Sequence, residues 1–133
     1  MQVVIRRVMD DREFENWATA YIEAQENAET VDEHHPLWWA VMRFFELEQN
    51  DPDSCWAAIL KILSKDPPDK VLSVLAAGPL EDLISEHGPS FIERIVEESR
   101  KDPAFRHLLG GVWKSTSSPE IWSQIETIRG KPW

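Results

Sequence analysis

The sequence predicts an all-α fold: a single compact domain of about seven or eight short helices, packed as an irregular bundle or as a short HEAT-like stack of helical hairpins. Three observations carry this. Apolar residues recur at three- and four-residue spacing through most of the 133-residue chain. Of its nine prolines, all but Pro132 fall where one apolar stretch has ended and another is about to begin, and proline is tolerated in a helix's first turn but not in its interior. A strand pattern is absent except at residues 2 to 5.

Residues 1–8 read as a loosely held extension and 9–133 as the helical domain, with Met9, Asp10 and Asp11 a natural start. The first helix spans about Asp11 to Asn27, because Phe14, Trp17, Ala18, Tyr21 and Ile22 share a face. Ala28 to His35 has no apolar period and reads as an acidic loop ending before Pro36, where the backbone favours an extended form. Pro36 then opens a strongly apolar helix with a core stripe of Trp38, Val41, Met42 and Phe45, widened by Leu37, Trp39 and Phe44. From Pro52, the stripe is Trp56, Ile59, Leu60 and Leu63. Two short helices follow, one through Val71 and Leu75 to Gly78, the other from Pro79 through Leu83 and Ile84 to Gly88. Phe91, Ile92, Ile95 and Val96 line the next, then come Phe105 to Trp113 and, after a Ser/Thr loop, Ile121 to Ile128.

Flanking residues agree with these starts and stops. Asp51, Asp66, Asp102 and Ser118 are N-cap types, and Gly78 and Gly88 suit the left-handed end of a preceding helix. The intervals between prolines differ and no residue pattern recurs at a fixed period, which disfavours a true repeat array.

The net charge of −10 is concentrated. Between Asp10 and Glu33, Asp10, Asp11, Glu13, Glu15, Glu23, Glu26, Glu29, Asp32 and Glu33 oppose only Arg12. Such a field repels phosphate backbones and anionic lipid, so neither nucleic acid nor a membrane is expected as a direct ligand, whereas a basic protein would be drawn in. The lone Cys55 lies beside Trp56 in an apolar helix and reads as a reduced core thiol of a cytoplasmic protein. Residues 1–9 are too short for a signal sequence, and no stretch approaches the roughly 20 apolar residues needed to span a bilayer.

Motifs for catalysis are missing. There is no Walker loop, dinucleotide glycine motif, CxxC, HExxH or serine-hydrolase elbow, and no cofactor is expected. Asp32, Glu33, His34 and His35 are metal-ligand types, but adjacent residues cannot all converge on one ion; no metal site and no catalytic set are assigned. Glu81 and Asp82 read as first-turn acids that favour the unpaired helix amides. Arg100 and His107 have a spacing that resembles the Arg-to-His pair of the HEPN class of helical ribonucleases, although Pro103 between them starts a new helix. Tryptophan is abundant. Trp17, Trp38 and Trp56 read as core, whereas Trp39 lies beside its stripe, where an aromatic next to an acidic helix suits protein contact.

The run Leu75-Ala76-Ala77-Gly78-Pro79-Leu80-Glu81-Asp82-Leu83-Ile84, with His87-Gly88, Asp102 to Arg106, Trp113 and the earlier His35 to Trp39, resembles a family of small bacterial proteins of unknown function over about Trp17 to Trp122. The resemblance implies a bacterial, cytosolic origin and supplies no activity, so no residue role is carried over. The functional expectation is a protein-interaction module. It presents Asp10, Asp11, Glu13, Glu23, Glu26, Asp32, Glu33 and Trp39 to a basic partner, in the manner of an immunity or antitoxin-like inhibitor. The alternative is a HEPN-like ribonuclease using Arg100 and His107.

Overall fold

In the computed structural model, residues 10–133 are described; the expected extension at 1–8 lies outside them. Helix α1 (Asp11–Glu26) starts where the Asp10 side chain accepts the Glu13 amide at 2.8 Å, and it buries Trp17, Ala18, Tyr21 and Ala24. A loop leads to α2 (Trp38–Asn50) and then α3 (Pro52–Ser64), which follows almost without a break because Asp51 caps Ser54 and Pro52 occupies the first turn. After α4 (Asp69–Leu75) comes a π turn (Ala76–Leu80) that continues into α5 (Glu81–Lys101). Asp102 then caps α6 (Pro103–Leu109), and Ser118 caps α7 (Pro119–Ile128).

The fold is all-α, and no strand occurs among the described residues. Because α4, the π turn and α5 run on as one helical body, there are slightly fewer separate helices than the sequence suggests. Here the proline reading is corrected. Pro79 does not begin a new helix, and neither Gly78 nor Gly88 adopts a left-handed helix end, since no described glycine has a positive φ. Pro79 has no N–H to give and its ring crowds the carbonyl four residues back, so the helix widens by one residue and the Glu81 amide reaches the Ala76 carbonyl. Pro89, by contrast, follows a break at His87 (φ −130°, ψ 19°) where two helical segments join, and stands in the first turn of the second, as the sequence suggests. Gly88 packs under Ile121, and a Cβ there would stand 3.1 Å from that side chain.

Other starts also move. Pro36 sits in a turn in which His35 Nδ1 accepts the Leu37 amide at 3.0 Å, and α2 opens only at Trp38. Asp66 caps nothing; its φ of 51° makes it the left-handed corner between α3 and α4.

The packing is that of an irregular bundle. Helices α1, α2 and α3 each touch the other two, and the π turn touches α2, α3 and α6 as well as its own neighbours, unlike a solenoid in which units meet only in sequence. A single apolar core results. Trp17, Tyr21 and Phe44 form one aromatic nest, with Phe44 edge-on to Trp17 (5.1 Å) and Tyr21 (5.0 Å); Trp56 packs edge-on to Phe105 at 5.5 Å. The Trp17 indole N–H also donates to the Ala40 carbonyl at 2.9 Å and ties α1 to α2. Cys55 is buried as expected. Trp38 is only half-buried and Trp113 is exposed, so neither is a core residue.

The tail after α7 folds back over α6. Gly130 and Trp133 amides donate to the Arg106 and Gly110 carbonyls, and the Trp133 indole N–H to the His107 carbonyl at 2.7 Å.

Candidate functional site

Helix α1 spaces its acids along about 24 Å, so the acidic segment is not one patch. Asp10, Asp11 and Glu13 stand at its first turn, where negative charge is favoured by the helix amides. Glu23 and Glu26 are exposed near its other end. From there the loop carries exposed Asp32 and Glu33 toward the start of α2 and Trp39, which is 49% exposed. Asp32 also accepts the His34 amide at 2.9 Å, and Glu33 lies 3.5 Å from the His34 ring. The predicted residues thus form two groups, with Glu23, Glu26, Asp32, Glu33 and Trp39 at the α1–α2 end.

Part of the acidic excess is already neutralised. Glu15 pairs with Lys61 at 2.6 Å and with Lys65, and these two ammonium groups hold its carboxyl down to about 2. Glu29 pairs with Lys70 at 2.6 Å, which also donates to the Glu26 carbonyl.

The register of α2 creates the most distinctive feature. Its buried residues are Ala40, Phe44 and Glu48, one four-residue row, whereas Met42 and Phe45, expected in the core, face outward with Trp39. This helix is apolar nearly all round, so its sequence period could not choose the inner face. Tyr21 and Gln25 of α1, Val41, Phe44, Phe45 and Glu48 of α2, Val74, Gly78 and Pro79 of the α4–π segment, and Asp82 at the start of α5 together line a groove of about 90 Å³.

Glu48 is only 8% exposed. Among the described residues its carboxylate forms no ion pair and no hydrogen bond, and burial, followed by the nearby Asp82 and Glu86 charges, raises its carboxyl to about 7. Asp82 is shifted upward too, first by burial and then by Glu86 and Glu81. Burial and Glu48 likewise push the Cys55 thiol up to about 12, an inert state. These carboxylates repel one another without forming a chelate: no cluster suited to a metal ion occurs among the described residues.

Sequence reasoning missed both groove acids. Asp82 reads as a first-turn acid because Pro79 looks like a helix start; the continuous helix makes it a groove residue instead. Glu48 is hidden because an acid beside Leu47 and Glu46 ordinarily faces water. The four-residue spacing Ala40, Phe44, Glu48 was the available signal.

Arg100 and His107 occupy different helices. Arg100, in the last turn of α5, lies 3.9 Å from Glu97, and His107 stacks on Trp133 with ring centres 5.2 Å apart. A larger cleft of about 440 Å³ is walled by Trp113, Trp122 and Trp133, with Arg129 over the Trp122 ring.

No helix among the described residues is long and apolar enough to cross a membrane. Fold and groove together define a small all-helical domain with an aromatic-walled, acid-floored groove. The chain belongs to a family of unknown function, DUF6869, whose model matches residues 25–133. The match takes in α2 through the tail and every groove residue except Tyr21, and leaves nearly all of α1 outside. No curated protein and no solved structure matches the chain.

Proposed function

We propose that this protein is an interaction module that docks a basic protein partner in the bacterial cytoplasm, with an immunity or antitoxin-like inhibitor as the concrete form. The observation that supports it is the outward row Trp39, Met42 and Phe45 on α2, an apolar strip beside the carboxylates of Glu23, Glu26, Asp32 and Glu33. Large exposed aromatics next to one sign of charge suit a contact whose affinity comes from ring burial and whose encounter rate comes from charge. Only one end of the acidic segment serves this purpose. Asp10, Asp11 and Glu13 lie a helix length away and contribute to the long-range field.

The test is capture by the full chain at low and high salt, with the retained protein identified. A basic partner, released by salt and lost with the double variant Trp39→Ala/Phe45→Ala of unchanged melting temperature, is the expected result. Capture indifferent to both salt and the double variant sinks the reading. The ribonuclease alternative has less in its favour, because Arg100 and His107 belong to different helices and each has a local partner. It requires RNA cleavage that disappears in His107→Ala.

A further inference from the structure

We infer that the groove beneath Phe45 is the receptor for a single lysine side chain of the basic partner, with Glu48 and Asp82 as its charge acceptors; this rests on the docking reading above. Three observations converge. Glu48 is more than nine-tenths buried, lines the groove, and forms neither an ion pair nor a hydrogen bond among the described residues. A second carboxylate, Asp82, lines the same groove, so the site holds an excess of negative charge that no described residue offsets. Much of the lining is apolar: Val41, Phe45, Val74 and Pro79 border the same space as the acids.

That combination matches one side chain in shape as well as charge. Lysine carries a compact ammonium on four methylenes, and the stem can lie along apolar walls while the head reaches the carboxylates. A volume of about 90 Å³ is narrow for the broad, flat fork of arginine. Tyr21 and Phe45 also line the space, and an aromatic ring near a cation adds attraction. A metal ion is the weaker occupant, since the acids do not gather into a ligand set. Insertion of a cation would convert the burial of Glu48 from a cost into a paired, desolvated contact.

The probe is n-butylammonium, the lysine side chain alone, titrated into the full chain carrying ¹³C-labelled glutamate, with n-butanol as the neutral control. Saturating amine should lower the apparent Glu48 pKa by about one unit or more, n-butanol should leave it in place, and Glu48→Gln should weaken amine binding by about tenfold or more. A Glu48 titration curve indifferent to the amine overturns the assignment, as does equal binding by Glu48→Gln. Should that variant melt early, Asp82→Asn serves the same comparison. The two claims separate at the protein level. Capture that survives Trp39→Ala/Phe45→Ala removes the docking reading, whereas capture that needs those rings but ignores Glu48→Gln removes only the lysine assignment.

Discussion

Glu48 carries its own thermodynamic signature. Its carboxyl moves from 4.5 to about 7, so the folded protein holds a proton that the unfolded chain has already released, and stability is greatest below the ordinary carboxylate range and falls as pH rises through about 7. At 1.36 kcal/mol per unit, the full penalty above that window is about 3 kcal/mol. Glu48→Gln should therefore raise the melting temperature clearly at pH 8 and little at pH 5; equal melting shifts at both values would contradict the assignment. Asp51 stabilises the fold as a cap. It accepts from the Ser54 amide at 3.2 Å and the Ser54 hydroxyl at 2.7 Å, and Asp51→Ala should cost about 1 kcal/mol in urea denaturation. Caps such as Asp51, Asp102 and Ser118 are legible in sequence because cap and amide lie two or three residues apart. Glu48 is not, because its burial is decided by α1, α4 and α5.

Among the elements, proline punctuation is accurate where the side chain before it caps the helix, and it fails at Pro67, where Asp66 turns a corner and caps nothing. Pro52, Pro103 and Pro119 follow Asp51, Asp102 and Ser118 and begin helices; Pro79 follows Gly78 and lies within a continuous helical body, whereas Pro89 follows the break at His87. Glycine offers the chain freedom to stop but does not oblige it, and packing of Leu80, Leu83 and Ile84 into the core keeps it helical. The glycines at the end of α6 have another task. A Cβ on Gly110 would sit 2.4 Å from the Lys131 carbonyl, and one on Gly111 would sit 2.6 Å from the Trp133 ring. Gly110→Ala should release the tail from α6 at a cost of about 1–3 kcal/mol, seen as faster proteolysis after residue 128 and loss of the His107–Trp133 stack by NMR.

At the scale of the whole molecule, the all-α class and one shared core follow directly from apolar spacing, while the distribution of charge does not. The −10 total is legible; that Lys61, Lys65 and Lys70 return to neutralise Glu15 and Glu29 is not, because these pairs bridge 41 to 50 residues of chain. At the α1–α2 end, the carboxylates of Glu23, Glu26, Asp32 and Glu33 have no lysine or arginine partner among the described residues. Association with a basic partner should slow steeply with added salt while dissociation changes little, measured by stopped-flow fluorescence. Charge reversal at Glu23 and Glu26 should slow association, and Trp39→Ala should instead hasten dissociation.

The bond from the Trp17 indole to Ala40 has a practical corollary for anyone trimming this polypeptide to its family-matched portion. Cutting before residue 25 would remove Trp17 and Tyr21 together and strip both rings from Phe44. Such a shortened chain should bind hydrophobic dyes and clump on storage, since a helix outside the family match acts as a keystone of the interior.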